Sequence, residues 1–199
     1  SFLAHEGDTT IGQITLSIPG EHNVQNALAA IALCTQMKIP VTSIISGLSA
    51  FHGTKRRFEK KGTVGGITII DDYAHHPDEL RQSIASVRAL YPDNRLTVAF
   101  QPHLYSRTRD FAPEFAEVLS AADSVVLIDI YPAREEPIEG VTSKIIFDRI
   151  KCDDKVMISK YDFVKTMKNT NFEILLAAGA GDLNLYLPEL CREISTDKN

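Results

Sequence analysis

Carboxylate, phenol and imidazole side chains follow one another directly after a short apolar segment near the middle of the chain. The segment Ile67–Ile70 is β-branched throughout, and it runs straight into Asp71-Asp72-Tyr73-Ala74-His75-His76. Pro77 then opens a pattern of helical periodicity with acidic residues in its first turn, where exposed N–H groups favour negative charge. Ligands of open parallel α/β sheets bind just outside the carboxyl ends of the strands. The pattern therefore predicts that a functional site passes through this segment.

Polar and glycine-rich segments also follow the other predicted strands. The carboxyl ends of parallel strands lie along one rim of a sheet, so these segments should come together there. A concentration of histidine, aspartate and arginine at one rim predicts a site rather than a chance grouping. The residues are Gln101, His103, Tyr105, Arg107 and Arg109 after the second strand, Asp129, Tyr131, Arg134 and Glu135 after the third, and Gly179–Asp182 after the last.

The histidines and arginines also allow other interpretations. His75 or His76 would equally serve to cap the following helix or to satisfy a buried carbonyl group. With His103 they form a candidate metal-ligand set, which makes a metal-dependent hydrolase an alternative function. Adjacent histidines point in different directions and no His-x-x-x-His spacing is present, so we expect no metal site. Arg107 is either a surface charge or, because a guanidinium holds a carboxylate through two hydrogen bonds, a substrate ligand.

Two glycine-containing segments are candidates for phosphate binding. Gly179-Ala180-Gly181 lacks the third glycine of a dinucleotide fingerprint, and such a segment is most often a tight turn between strand and helix. Gly53-Thr54-Lys55 follows Gly47 with five intervening residues instead of four, and no predicted strand leads into it. The chain therefore contains no Walker A motif.

Composition narrows the classes of function. The 199 residues carry a formal net charge of −5, and the basic residues are scattered apart from Lys55-Arg56-Arg57, so we expect no nucleic-acid partner. Three cysteines, few and far apart, indicate free thiols in a reducing cytoplasm rather than a disulfide framework. No run of about 18 apolar residues is present, so we expect no membrane partner.

The pattern of elements predicts two parts of unequal size. Residues 1–54 contain one predicted strand (Ile11–Ile18) and helices over His22–Met37 and from Thr42 to Ser49, which is too little for an independent core. From residue 55 to residue 199, five strands alternate with helices, which predicts a Rossmann-like, doubly wound, mostly parallel α/β sheet with helices on both faces. The predicted strands are Ile67–Asp71, Leu96–Phe100, Val125–Ile130, Val156–Ile158 and Ile174–Ala177, and the predicted helices are Pro77–Leu90, Phe111–Ala121, Ser143–Ile150, Asp162–Lys168 and Leu185–Ile194.

Five motifs follow one another along the chain. They are Gly20–Ala30 (GEHNVQNALAA), Arg56–Glu59 (RRFE), Asp71–Pro77 (DDYAHHP), Phe100–Thr108 (FQPHLYSRT) and Gly179–Asp182 (GAGD). In order and spacing these motifs resemble the Mur ligases of bacterial peptidoglycan synthesis, and the resemblance covers nearly the whole chain. The segment Phe100–Thr108 resembles in particular the alanine-adding members.

The resemblance implies a three-domain enzyme of which this chain is one portion. Residues 1–54 would be the end of the central ATP-binding domain, and residues 55–199 would be the Rossmann-like C-terminal domain. The implied reaction joins L-alanine to UDP-N-acetylmuramate in the cytoplasm. It consumes ATP, requires Mg²⁺ and proceeds through an acyl phosphate. Because the Walker A motif is missing, we expect the chain alone to be inactive, and a non-catalytic nucleotide- or amino-acid-binding module is a second alternative.

The resemblance also implies roles for individual residues. Asn26 and His22 would lie by the adenine of ATP, Arg57 would reach phosphate, and Asp72 would hold the ribose hydroxyls. Amide, guanidinium and carboxylate groups suit a base edge, a phosphate and a diol, respectively. The residues around the incoming alanine would be Tyr73, His75, His103 and Arg107, with His75 and Arg107 as catalytic residues. Leu104 stands where some relatives carry arginine, so a second arginine on the alanine carboxylate is not expected.

Overall fold

The chain divides into two compact units in a computed structural model of the protein, which describes residues 1–196. The first unit, Ser1–Thr54, consists of a two-stranded antiparallel sheet, β1 (Phe2–Glu6) and β2 (Thr9–Ile14), and two helices, α1 (Glu21–Gln36) and α2 (Val41–Ala50). Its core is small and is formed by the buried residues Ala4, Ile14, Ile31 and Ile44.

The second unit, from Lys55 on, is built on a six-stranded sheet. The strands are β3 (Glu59–Val64), β4 (Ile67–Asp72), β5 (Leu96–Phe100), β6 (Ser124–Ile128), β7 (Lys155–Ile158) and β8 (Ile174–Ala178). Their order in the sheet is β3-β4-β8-β5-β6-β7, in which the pairing of β3 with β4 is antiparallel and the other pairings are parallel. The fold-class prediction, a Rossmann-like and mostly parallel α/β sheet, is confirmed.

The helices of the second unit are α3 (Pro77–Leu90), α4 (Tyr105–Asp110), α5 (Ala112–Leu119), α6 (Lys144–Phe147), α7 (Phe163–Lys168) and α8 (Leu187–Thr196), with short 3₁₀ turns at Lys160–Asp162 and Leu183–Tyr186.

Alternation along the strands divides the second unit into two hydrophobic cores. Successive side chains of a strand point to opposite faces, and a parallel sheet covered by helices is apolar on both. Ile70 belongs to the core with the helices α3 and α5, whereas its neighbour Ile69 belongs to the core with α7 and α8.

The structure differs from the sequence-based expectation at three places. Strands β1 and β3 were not predicted, because neither sequence has a repeated apolar face. The helix expected over Phe111–Ala121 is α5. A separate helix, α4, precedes it, and a break at Phe111 (φ −118°, ψ 18°) separates the two. The helix expected over Ser143–Ile150 is a single turn, α6. Within residues 1–196, no helix is long and apolar enough to cross a membrane.

Candidate functional site

The segments that follow β4, β8, β5 and β6 meet at one rim of the sheet. Hydrogen bonds continue beyond the strand ends: the Gly179 N–H donates to the Asp72 carbonyl (3.0 Å), and the Gln101 N–H donates to the Ala178 carbonyl (3.0 Å). Farther along, His103 pairs with Tyr131 in a parallel bridge. The backbone therefore holds the polar segments as neighbours.

Asp71 and Asp72, at the end of β4, are both buried carboxylates. Burial raises the pKa of each above the ordinary aspartate value. Asp72 is 8% exposed and its Oδ2 accepts a hydrogen bond from the Ser83 hydroxyl on α3. Asp71 lies 3.6 Å from the Lys61 ammonium across the β3–β4 pair. Asp72 thus joins the strand to the following helix, a role that the sequence did not reveal.

His75 is held in one tautomer by its neighbours. Its Nδ1 lies 2.9 Å from the Tyr73 carbonyl oxygen and 3.2 Å from a carboxylate oxygen of Glu79. Both oxygens are acceptors, so the neutral ring carries its proton on Nδ1 and keeps a lone pair on Nε2. His76 caps α3: its Nδ1 accepts from the Asp78 N–H at 3.4 Å, and Glu79 completes the capping box.

His103 is held in the opposite tautomer by Arg107. The guanidinium Nη1 lies 3.4 Å from His103 Nδ1, and because a guanidinium only donates, that nitrogen accepts and the proton is on Nε2. The ring stacks on Tyr131, with centroids 5.8 Å apart and an interplanar angle of 14°. Burial, followed by the positive charge of Arg107, lowers the pKa of His103 below its usual value.

The two imidazoles lie next to each other, with ring centroids 5.9 Å apart. His75 offers an acceptor at Nε2 and His103 offers a donor at Nε2, so the pair can accept one proton and donate one hydrogen bond. Tyr73 packs edge-on against His75 at 5.5 Å. The four residues expected around the incoming amino acid, Tyr73, His75, His103 and Arg107, are therefore close neighbours.

Arg56 and Arg57 lie over the ring of Tyr73, at 4.7 Å and 5.3 Å from its centroid. Arg56 is used inside the fold, because its Nη2 donates to the carbonyl oxygens of Gly179 (2.8 Å) and Gly181 (3.0 Å). The side chain of Arg57 is exposed, which leaves its guanidinium accessible to an anion. The sequence indicated Arg57 as a site residue but gave no indication that Arg56 binds the turn Gly179–Asp182.

The glycine turn after β8 is packed against Gln101 from the other side. A Cβ atom on Gly181 would lie 2.2 Å from Gln101 Oε1, and one on Gly179 would lie 2.6 Å from the Gln101 carbonyl oxygen. Gln101 Nε2 donates to Asp182 Oδ1 at 2.9 Å, and Lys160 pairs with the other oxygen of that carboxylate. The turn therefore requires glycine for close packing.

His22 and Asn26 lie on α1 of the first unit, four residues apart and both exposed. Residues at this spacing lie on the same face of a helix, so both side chains can reach one ligand. Within residues 1–196, no group of three or more His, Cys, Asp and Glu side chains is placed to hold a metal ion. The metal-dependent alternative gains no support from this arrangement.

Comparison with known proteins gives consistent matches. The family described as Mur ligase, glutamate ligase domain, matches residues 56–190. The UDP-N-acetylmuramate–L-alanine ligase of Phocaeicola vulgatus is 45% identical over 182 residues, which cover 91% of this chain and 40% of that protein. The ligase of the same name from Lachnospira eligens is 50% identical over 175 residues, or 85% of this chain and 38% of that protein. The chain thus spans about two fifths of the length of these curated relatives.

Solved structures show the same relationship. The UDP-N-acetylmuramate-alanine ligase of Thermotoga maritima superimposes with a TM-score of 0.78 at 28% identity, over 93% of this chain and 40% of that one. A folylpolyglutamate synthase of the same organism gives a TM-score of 0.65 at 16% identity over 93% of this chain and 44% of that chain, a likeness of fold alone.

Proposed function

The chain belongs to the Mur ligase family, and from this premise we propose that it forms part of an ATP-dependent ligase joining L-alanine to UDP-N-acetylmuramate in peptidoglycan biosynthesis. The observation that carries the proposal is the grouping of His75, His103 and Arg107 at the sheet rim, in a chain 45% identical to a ligase of that name. The acceptor on His75, the donor on His103 and the guanidinium of Arg107 together match the ammonium and carboxylate groups of an amino acid. We place the enzyme in the cytoplasm, where ATP is available.

The proposed reaction has two chemical steps. The γ-phosphoryl group of ATP passes to the carboxylate of the muramate, giving an acyl phosphate and ADP. The amine of alanine then attacks the acyl carbon, the bond from that carbon to the phosphate oxygen breaks, and inorganic phosphate leaves. Alanine enters as an ammonium ion, so it must lose protons before and after the attack. A base beside the amine is therefore needed.

We assign the role of base to His75. Its Nδ1–H is directed at the Tyr73 carbonyl and Glu79, so Nε2 is left as the proton acceptor. A carboxylate that orients an imidazole and stabilises its protonated form is a familiar arrangement in catalysis. His103, neutral and with its proton on Nε2, is suited to donate a hydrogen bond to a carboxylate or acyl oxygen of the substrates.

We assign the alanine carboxylate to Arg107. Its guanidinium is half-buried and already oriented by His103, so less side-chain freedom is lost on binding. Leu104, next to His103, offers no charge, and Arg107 therefore supplies the main electrostatic contact. A one-carbon side chain has little apolar surface, so recognition of alanine must depend on its charged ends.

For the nucleotide we propose Arg57, Asp72, His22 and Asn26. The exposed guanidinium of Arg57 fits a phosphate. Asp72 fits the ribose less simply, because it is buried and already accepts a hydrogen bond from Ser83, so only its remaining acceptor capacity is free for a hydroxyl. Mg²⁺ would neutralise phosphate charge in the whole enzyme, and we assign it no ligand in this chain.

Phosphate release by the whole ligase that contains this chain tests the proposal. We expect release of ADP and phosphate only when ATP, UDP-N-acetylmuramate and L-alanine are all present, with glycine, L-serine and D-glutamate as matched controls. The 199-residue chain alone should show no release, because it has no Walker A motif to position the transferred phosphoryl group. A preference for D-glutamate, or a metal-dependent hydrolysis without ATP, would overturn the proposed function.

A further inference from the structure

The helix that carries Arg107, α4, begins without a cap from its own sequence. Its N-cap residue is Leu104, which has no side-chain oxygen and adopts φ 73° and ψ 136°. The first N–H groups of a helix have no partner within the helix, and a cap usually comes from Ser, Thr, Asp or Asn at this position. The partner for α4 must therefore come from elsewhere in the fold.

Glu135, in the loop after β6, provides this partner. Its Oε2 accepts from the Ser106 N–H at 2.9 Å, and its Oε1 accepts from the Ser106 hydroxyl at 2.5 Å. These hydrogen bonds, the one from the hydroxyl foremost, hold the pKa of Glu135 below its usual value. A carboxylate at a helix N-terminus is also favoured by the helix dipole. The cap comes from 29 residues away in the sequence.

The loop that presents Glu135 is itself fixed to the segment before α4. The Leu104 N–H donates to the Tyr131 carbonyl at 3.0 Å, and the Tyr131 N–H donates to the Pro102 carbonyl at 2.8 Å. The Glu135 N–H closes a turn on the Pro132 carbonyl at 3.0 Å. The Glu135 carboxylate therefore reaches Ser106 from a loop whose backbone is fixed by hydrogen bonds.

We propose that Glu135 is a positioning residue that fixes the first turn of α4 and thereby sets the place of the Arg107 guanidinium for the incoming amino acid. Ser106 and Arg107 are consecutive, so loss of the contact that fixes Ser106 displaces Arg107 from His103. The positive charge of Arg107 contributes to the lowered pKa of Glu135. The inference rests on the proposed function, because alanine binding is its kinetic readout.

Substitution Glu135→Gln in the whole ligase is the kinetic test. The amide keeps the shape of the side chain but loses the charge and one acceptor. Loss of a helix cap corresponds to about a 3- to 30-fold change in an equilibrium, so we expect the KM for alanine to rise by about that factor. The KM for ATP and kcat should change by less than about twofold. Glu136→Gln, at the exposed neighbouring position, is the matched control and should leave all three constants unchanged.

A second variant shows whether the effect passes through Ser106. Ser106→Ala removes the hydroxyl donor and keeps the N–H, so it should raise the alanine KM less than Glu135→Gln does. In the double variant the two effects should be less than additive, because both remove the same contact. Additive effects, or an equal rise in the KM for ATP, would overturn the positioning role.

The amide resonance of Ser106 gives a readout that does not depend on activity. In ¹⁵N-resolved spectra of the 199-residue chain, we expect the Ser106 N–H proton to move upfield in Glu135→Gln and to stay in place in Glu136→Gln. An unmoved resonance would refute the Glu135–Ser106 contact. If the contact holds and the whole ligase shows no alanine-dependent reaction, the proposed function fails and the cap does not.

Discussion

His75 and His103 differ in which ring nitrogen carries the proton, so the rim of the sheet presents one proton acceptor and one hydrogen-bond donor. The Tyr73 carbonyl fixes one ring and the Arg107 guanidinium fixes the other, at 2.9 Å and 3.4 Å. Residue types alone could not reveal it, because a histidine in a sequence is compatible with either tautomer. The sequence placed both histidines just after their strands, and the roles that the resemblance implies for them stay predictions.

The depressed pKa of His103 leads to a prediction about stability and pH. A histidine whose folded pKa lies below its unfolded value of about 6.5 contributes stability above that value. The contribution is lost as pH falls through the folded pKa, since the unfolded chain takes up the proton first. His103→Gln should therefore lose less stability than the wild type between pH 7.5 and pH 5. The measurement is the urea midpoint across that range, with the exposed His52→Gln as control.

An unchanged pH dependence in His103→Gln would show that His103 titrates normally in the folded protein. Glutamine keeps an acceptor for Arg107, so loss of that hydrogen bond does not by itself explain a difference.

Among the elements, those with a strong apolar pattern were predicted well and those without one were missed. The buried strands β4, β5 and β8 and the helix α3 have apolar runs or a one-sided apolar face, and each lies within one or two residues of its predicted bounds. The edge strand β3 has the sequence EKKGTV, which is typical of an exposed edge and carries no such signal.

Contacts between residues that are far apart in the chain could not be predicted from the sequence. Glu135 caps α4 from a loop, Ser83 contacts Asp72 across 11 positions, and Arg56 reaches the glycine turn across 123 positions. Periodicity and motif spacing describe neighbours in the chain, and these contacts depend on how the strands are ordered in the sheet.

The turn after β8 allows a direct test of packing at the rim. Gly181→Ala would place a Cβ atom 2.2 Å from Gln101 Oε1 and 2.8 Å from Tyr131 Cβ, so Gln101 must leave Asp182. We expect the free energy of unfolding to fall by about 1–3 kcal/mol. Gly47→Ala is the matched control: it lies in α2 with no atom within 4 Å of the new Cβ and should raise that free energy by about 0.5–1 kcal/mol. Equal effects at both positions would contradict the packing account.

For the whole chain, the cores indicate which part can fold alone. The two large cores consist entirely of residues beyond position 54, and the core of the first unit consists entirely of residues before it. Identification of residues 1–54 as the end of an ATP-binding domain, and of residues 55–199 as the C-terminal domain, stays a prediction from the resemblance.

Residues 55–199 should fold without the first unit. Their sheet and both cores are complete within the unit, so removal of residues 1–54 should leave one cooperative thermal transition followed by circular dichroism. A peptide of residues 1–54 is the counterpart, and its four buried core residues should be too few for a cooperative transition. An aggregated or molten product from residues 55–199 would show that the second unit depends on the first.

The central claim about the whole enzyme is that Arg107 binds the alanine carboxylate and Arg57 binds a phosphate of ATP. The Michaelis constants for alanine and for ATP, measured for the same variants, test this claim most directly. Loss of a charged hydrogen-bonding partner costs about 1.5–3 kcal/mol, or about 10- to 150-fold. In the whole ligase, Arg107→Ala should raise the KM for alanine by that factor and leave the KM for ATP nearly unchanged, and Arg57→Ala should do the reverse. Arg107→Lys should recover only part of the loss, because lysine keeps the charge and lacks the fork. Equal effects on both substrates, or no effect of Arg107→Ala on alanine, would contradict the account and place the carboxylate elsewhere.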